Sequence, residues 1–325
     1  MIHYCTYFDI HYLTRALALH RSLRRHSPPF TLWALCLDDE VRAALEALAL
    51  DDVRPVALAE LEAADPELAA VKGTRTKVEY YFTCSPALPR YLFRAHPEID
   101  LVTYLDADLL FYSSPVAVLE ALGHGSVLIV PHRFPEAIRE LEEFGVYNVG
   151  LLAFRGDEAG TAVLEDWRAR CLEWCYDRVE GDRFADQKYL DAWPGRPGVR
   201  VAHDPGIGLA PWNAMGHAVD VAASPPTVDG RPLVFYHFQG VRRLAPGLWD
   251  ARADWYGSIE PSVRNRLYGG YVRELEASSA RVRAAWRRDR RHGWSLREPK
   301  LAWRQVIGRL RAGQVIFVSP TDRRR

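Results

Sequence analysis

The chain has 325 residues, 48% hydrophobic and 11% aromatic, with a formal net charge of zero, enough for one large α/β domain or two small ones with a sizeable core. No apolar run approaches the roughly 18–20 residues that a membrane span requires. Only four of the 42 basic residues are Lys, which reads as genome composition rather than a binding code, and no nucleic-acid partner is expected.

The chain opens in a strand, Ile2 to Phe8, so no signal peptide is expected. An amphipathic helix follows from Tyr12 to Arg25, then a strand from Phe30 to Leu37, a helix from Val41 to Leu50 and a strand from Val53 to Ala57. This βαβαβ rhythm predicts a Rossmann-like nucleotide-binding half. Glu60 to Lys72 reads as a surface helix or excursion, and Pro86 to Arg94 as a helix. Further strands are expected at Leu101 to Leu105, Ser126 to Val130 and Tyr147 to Phe154, with a long helix from Ala159 to Arg178. The Gly- and Pro-dense stretch from Pro194 to Pro232, with Trp212 and Asn213 at its middle, is too long for an ordinary connection and predicts a binding loop. Leu233 to His237 is a final strand. Beyond Trp255 the pattern turns helical and basic.

The most informative element is the apolar run Leu101 to Leu105, which ends in Asp106-Ala107-Asp108. An apolar run bounded by charges predicts a buried parallel strand, and ligands in open α/β sheets bind beyond the carboxyl ends of strands. Two crowded carboxylates need a compensating cation, and hard oxygen ligands suit Mg²⁺ or Mn²⁺. The motif therefore points to a metal–diphosphate site. For a random match, two solvated carboxylates in a turn are the commoner outcome. Here the following Leu-Leu-Phe-Tyr favours the metal, because buried charges are paired or coordinate metals.

Five scattered cysteines, Cys5, Cys36, Cys84, Cys171 and Cys175, complete no zinc pattern and predict reduced buried thiols. A cytoplasmic protein is expected, with a peripheral place at the inner membrane face left open. Residues 271–325 hold fifteen Arg or Lys against five Asp or Glu, a balance of +10, which leaves −10 on residues 1–270. Within this tail, Trp303, Val306, Ile307 and Leu310 share one helical face, with Arg304, Arg309 and Arg311 around them. Such a helix suits an anionic membrane surface, or packs on the acidic remainder.

The order of Asp106-x-Asp108, Tyr147-Asn148-Val149-Gly150, Asp186-Gln187 and Tyr236-His237-Phe238-Gln239-Gly240 resembles the family 8 type of retaining glycosyltransferases, the GT-A enzymes of the glycogenin and bacterial lipooligosaccharide galactosyltransferase kind. The resemblance spans roughly residues 1 to 245, and the stretch from Lys77 to Phe134 is similar to bacterial polysaccharide-locus glycosyltransferases. It implies an α/β, GT-A, Rossmann-like mixed sheet flanked by helices. The catalytic domain would span 1–255, with a nucleotide-binding half of about 1–112 and an acceptor half of about 113–255. A basic helical extension, 256–325, follows.

The resemblance also implies residue roles. Asp106, Asp108 and His237 would bind the divalent ion, Mn²⁺ or Mg²⁺. Gly150 and Gly240 would let the donor approach, with Arg243 and Lys77 meeting phosphate charge. Thr6 and Asp9 would address base and ribose. Asn148 and Asp186 would bond sugar hydroxyls, and Gln187 would lie under the anomeric carbon. His132, Arg133, Trp212 and Asn213 are acceptor candidates. The expected partners are a nucleotide-sugar donor, with a UDP-sugar favoured, and a glycan or lipid-linked acceptor. The chain departs from the family in Tyr7-Phe8-Asp9-Ile10, where a polar turn is usual, and in His132-Arg133, where an acidic residue often stands. Without an isolated carboxylate base, retention of anomeric configuration is expected. Two alternatives stay open: a haloacid dehalogenase-type phosphatase using Asp106, and a non-catalytic nucleotide-sugar-binding module. The phosphatase motif normally sits near the amino terminus, followed by Thr or Val rather than Leu109.

Overall fold

The structure is a computed structural model and describes residues 1–245, 247–286 and 303–318. Its strands are β1 (Ile2–Phe8), β2 (Phe30–Cys36), β3 (Val53–Ala57), β4 (Leu101–Leu105), β5 (Leu109–Phe111), β6 (Val127–Pro131), β7 (Tyr147–Arg155), β8 (Val199–Val201), β9 (Ile207–Leu209), β10 (Val219–Asp220), β11 (Thr227–Val228), β12 (Arg231–Pro232), β13 (Phe235–His237), β14 (Arg242–Ala245), β15 (Leu248–Asp250) and β16 (Val315–Phe317). The helices are α1 (Leu13–His26), α2 (Asp39–Leu48), α3 (Leu58–Ala64), α4 (Pro66–Val71), α5 (Lys77–Ala95), α6 (Val116–Leu122), α7 (Glu158–Glu173), α8 (Pro261–Ala285) and α9 (Trp303–Arg311).

Seven strands form the main sheet in the order β3-β2-β1-β4-β7-β6-β8. The first four run parallel, whereas β7 is antiparallel to both β4 and β6. The sheet is buried on both faces, as expected of apolar strands in an α/β protein. Leu13 and Leu17 of α1 and Leu45 of α2 pack on one face. Leu88 and Leu92 of α5 and Leu164 and Trp167 of α7 pack on the other. The strand order reverses direction between β1 and β4, and a crevice at such a switch point is where open α/β sheets bind ligands.

Local chemistry sets the helix starts. The Asp38 carboxylate accepts from Val41 N and caps α2, and its second oxygen accepts from Ile10 N, tying the helix to the loop after β1. Thr76 and Glu79 form a capping box that starts α5 at Lys77. The helix therefore begins well before the expected Pro86 and carries Pro86 and Pro89 in its interior. The reciprocal Thr-x-x-Glu cap satisfies the first amide groups, and this signal outweighs the prolines. At the other end, α7 stops at Glu173 rather than Arg178. All five cysteines are free and buried.

The segment expected as one long loop contains five short strands, β8 to β12. Of these, β9 joins β5 and β13 in a three-stranded sheet of order β5-β13-β9. The helix α8 belongs to a third apolar cluster, in which Leu267 and Leu275 meet Ala18 of α1, and Glu274 pairs with Arg21 and Arg25. In the tail, β16 pairs with β15, Val306 of α9 is buried, and Arg309 bonds Asp250 and Asp254. The basic tail thus meets acidic residues of the preceding chain, while residues 287–302, including Lys300, lie outside the described residues. Among the described residues no helix is long and apolar enough to cross a membrane.

Candidate metal and sugar-nucleotide site

The two carboxylates stand in the turn between β4 and β5. The Asp106 amide donates to Gly150 O of β7 (2.8 Å), which fixes the start of the turn. Then β5 pairs antiparallel with β13, placing His237 opposite Leu109, and Phe238 N donates to Asp108 O (3.0 Å). This short ladder delivers the imidazole to the acidic turn. Asp106, Asp108 and His237 each offer a ligand atom, all within 4.8 Å of one another. His237 Nε2 lies 3.1 Å from Asp108 Oδ1 and 3.7 Å from Asp106 Oδ2.

Burial opposes charge on His237, but Asp108 and Asp106 outweigh it and raise its pKa. Burial likewise works against the Asp108 carboxylate, yet His237 and then Arg15 hold its pKa below the ordinary value. Two carboxylates and one imidazole are a donor set that suits Mn²⁺ or Mg²⁺, so the residues present fit a divalent ion.

Around this triad the surroundings are tight. A Cβ on Gly150 would lie 2.8 Å from His237 Nδ1, so the glycine is the floor of the imidazole. Trp212 stands edge-on to His237 with ring centroids 5.2 Å apart, and edge-on to His132 at 5.2 Å. Tyr104 Oη donates to Asp106 Oδ1 (2.7 Å). Gly240, in the turn after β13, has φ +83°, a conformation that favours glycine.

A second group sits beside the triad. Asn148 Nδ2 donates to Gln187 Oε1 (3.2 Å) and lies 3.2 Å from His132 Nε2, while its Oδ1 accepts from Gly150 N. Gln187 Nε2 donates to Phe144 O (3.0 Å). Burial lowers the His132 pKa to about 3, so the ring is neutral and accepts from Asn148. Asp186 is 4% exposed. Burial, with Asp106 nearby, pushes its pKa up to about 7 against the pull of the Ser85 hydroxyl.

Several side chains named from the sequence are placed elsewhere or otherwise engaged. Thr6 is fully buried, on the face of β1 that it shares with Tyr4 and Phe8. Asp9 and Lys77 pair at 3.2 Å at the end of β1. Arg133 donates to the carbonyls of Ile207, Ala202 and Asp204, and fully buried Asn213 bonds His132 O, Gly208 O and Ala210 N. These bonds hold the loop against the end of β6. Arg243 pairs with Glu276 (3.1 Å) and lines a shallow cleft with His11, Arg15 and Trp249. Sequence reasoning missed Arg15 and Tyr104. Tyr104 was accessible in principle, since residues i and i+2 of a strand share a face. Arg15 carried no local signal, because its neighbours Asp108 and Val241 O are distant in sequence.

No known family profile matches the chain. The chain is 34% identical over 248 residues to the uncharacterized protein YfnF of Bacillus subtilis (strain 168), covering 74% of this chain and 81% of that protein. The chain belongs to the YfnF family. YfnD of the same organism, also uncharacterized, is 26% identical over 289 residues, covering 87% of this chain and 92% of the relative. Among solved structures, the galactosyltransferase LgtC, in complex with donor and acceptor sugar analogs, matches with a TM-score of 0.52 at 16% identity. The match covers 89% of this chain and 98% of that one. This YfnF relative therefore has the GT-A glycosyltransferase fold, a mixed sheet flanked by helices.

Proposed function

We propose that the protein is a metal-dependent glycosyltransferase of the family 8 type. It moves a sugar from a nucleotide-sugar donor, a UDP-sugar by preference, to a glycan or lipid-linked acceptor with retention of configuration. The observation that carries the reading is the convergence of Asp106, Asp108 and His237 at the switch point of a GT-A sheet, with Asn148 and Gln187 one residue layer away. LgtC, which shares the fold, was crystallised with donor and acceptor sugar analogs.

In this reading Asp106, Asp108 and His237 hold Mn²⁺ or Mg²⁺, which when bound supplies Lewis-acid neutralisation of the departing diphosphate. Lys77 and Arg243 add positive charge toward the phosphates, Asp9 meets the ribose, and Gly150 and Gly240 keep the backbone close. Asn148 and Asp186 orient the sugar by its hydroxyls. The hydrogen bond from Gln187 Nε2 to Phe144 O turns the amide so that Oε1 faces Asn148, where a stabilising dipole serves an oxocarbenium-like centre. His132 and Trp212 border the acceptor side. Residues 1–112 act as the nucleotide half and 113–255 as the acceptor half. The tail supports a peripheral place at the inner membrane face: Ile307, Leu310 and Phe317 are 43%, 50% and 69% exposed beside the basic segment.

The test is a thermal-shift screen of nucleotide sugars with Mn²⁺, followed by calorimetry on Asp108→Ala. One donor should stabilise the wild type only with metal, and the variant should lose that response. Unchanged metal-dependent affinity in Asp108→Ala overturns the site. Proton NMR of the product linkage tests retention.

A further inference from the structure

A line of buried hydroxyls joins the metal-ligand candidate Asp106 to the sugar-side carboxyl Asp186. Tyr104 Oη donates to Asp106 Oδ1 at 2.7 Å. The rings of Tyr104 and Tyr7 lie 5.7 Å apart, and their hydroxyls bond each other. Tyr7 Oη is 3.1 Å from Ser85 Oγ, and the Ser85 hydroxyl bonds the Asp186 carboxyl. Tyr104 and Ser85 are 1% and 0% exposed and Tyr7 is partly buried, so most of the line is shielded from water. The four elements that contribute, β4, β1, α5 and the segment before residue 188, have no other reason to align polar groups in an apolar layer. A buried hydroxyl without a partner is costly, and Phe would fill the positions of Tyr7 and Tyr104 without that demand.

The proton count gives the line a direction. Four links join five groups, and three hydroxyls supply three protons. With both carboxyls ionised, one link is left open. With one proton on Asp186, every link closes, and each group donates toward Asp106: Asp186 to Ser85, Ser85 to Tyr7, Tyr7 to Tyr104, Tyr104 to Asp106. No bond other than hydrogen bonds changes, and the proton stays on Asp186.

We propose that Tyr104, Tyr7 and Ser85 are positioning residues forming a hydroxyl relay that fixes the Asp106 carboxylate for a divalent ion and links its orientation to that of Asp186. The inference rests on the metal reading above and adds residues to it. With Oδ1 held by Tyr104, Oδ2, the oxygen nearer His237, is left facing the triad. Groups that orient ligating carboxylates typically change metal affinity about 10–100-fold when removed.

The experiment is calorimetry of Mn²⁺ alone with the full chain and the variants Tyr104→Phe, Tyr7→Phe and the double substitution. Tyr104→Phe is expected to weaken Mn²⁺ by about tenfold or more. Tyr7→Phe, which touches no ligand atom, should weaken it by a smaller but measurable factor. The double variant should bind no worse than Tyr104→Phe alone, since groups in one network are not additive. A merely structural role for Tyr7 would change the melting temperature and leave Mn²⁺ affinity alone. Wild-type affinity in Tyr7→Phe, or losses that simply add, overturns the relay, while Asp108→Ala separately reports whether the metal reading stands. Should the wild type bind no Mn²⁺, infrared difference spectra decide. The relay predicts a protonated-carboxyl stretch near neutral pH, absent in Asp186→Asn and shifted in Tyr7→Phe. An identical band in Tyr7→Phe refutes it.

Discussion

Gly150→Ala tests whether the imidazole is held by the strand beneath it. The added Cβ would lie 2.8 Å from His237 Nδ1 and 2.9 Å from Cε1, and closer still to Asn148 Oδ1. Gly150 is not among the residues with positive φ, so the substitution adds no backbone strain and acts through contact alone. Neither neighbour yields easily. His237 is 5% exposed and wedged under Trp212, and Asn148 is tied to Gln187 and Gly150 N. Relief requires the imidazole and the Asn148 amide to shift from the strand beneath them, which disturbs the 3.1 Å contact of His237 with Asp108. Overpacking of this kind costs roughly 1–3 kcal/mol, or a fall in Tm of several degrees at about 2–4 °C per kcal/mol. A displaced ligand should also weaken Mn²⁺ by about tenfold or more. Differential scanning calorimetry and Mn²⁺ titration measure both effects, and Gly73→Ala, which meets open space, is the control. A Gly150→Ala protein with wild-type Tm and Mn²⁺ affinity would refute the reasoning.

Asp186→Asn should change how stability depends on pH. A carboxyl raised to about 7 in the folded state contributes stability that is complete below its unfolded value and is lost as pH rises through 7. At about 1.4 kcal/mol per pK unit the loss reaches ~4 kcal/mol. Metal-free thermal melts should therefore show the variant gaining on wild type between about pH 4 and 7 and no further above, and parallel curves would contradict the burial argument. Asp65→Ala should lower stability by about 3–5 kcal/mol in urea unfolding, because 3%-exposed Asp65 bonds Arg168 and Arg90 and caps α4. A loss under 1 kcal/mol would mean that Glu67 alone suffices for Arg168. Ile307→Asp, Leu310→Asp and Phe317→Asp together should abolish salt-sensitive flotation with vesicles of phosphatidylglycerol and phosphatidylcholine. Equal flotation by variant and wild type would assign the tail to packing on Asp250 and Asp254.

The alternation and helical periods of the amino-terminal half were readable because propensity and packing agree there. Ile2 to Phe8 and Phe30 to Cys36 are apolar strands each followed within a few residues by a helix, and the structure has them within a residue of the expected limits. Asp106 and Asp108 were visible for the same reason, at the end of a strand that nothing interrupts. The misjudged elements depend on partners far away. The start of α5 hid behind Pro86, and the short strands β8 and β9 take their ladder bonds from β6 and β13, far away in sequence, while β10 to β12 are two-residue strands that pair only with one another. Thr6 illustrates the opposite failure. The residue type suits a ligand contact, but a strand offers two faces, and the register on β4 turns Tyr7, not Thr6, toward the Tyr104 layer. Arg133 and Asn213 were singled out as acceptor candidates, yet the bonds of both go to backbone groups, Arg133 to Ala202, Asp204 and Ile207 and Asn213 to His132, Gly208 and Ala210.

The pairing of β5 with β13 also gives the site a place in the order of folding. Asp108 precedes β5 and His237 ends β13, so the triad closes only when two strands far apart in sequence have paired. Contacts this remote in sequence are made late, because loop closure must come first. An ion held there stabilises the finished state by mass action and has nothing to grip in any shorter piece. In the proposed metal reading, ion affinity would therefore double as a readout of whether β5 and β13 have paired.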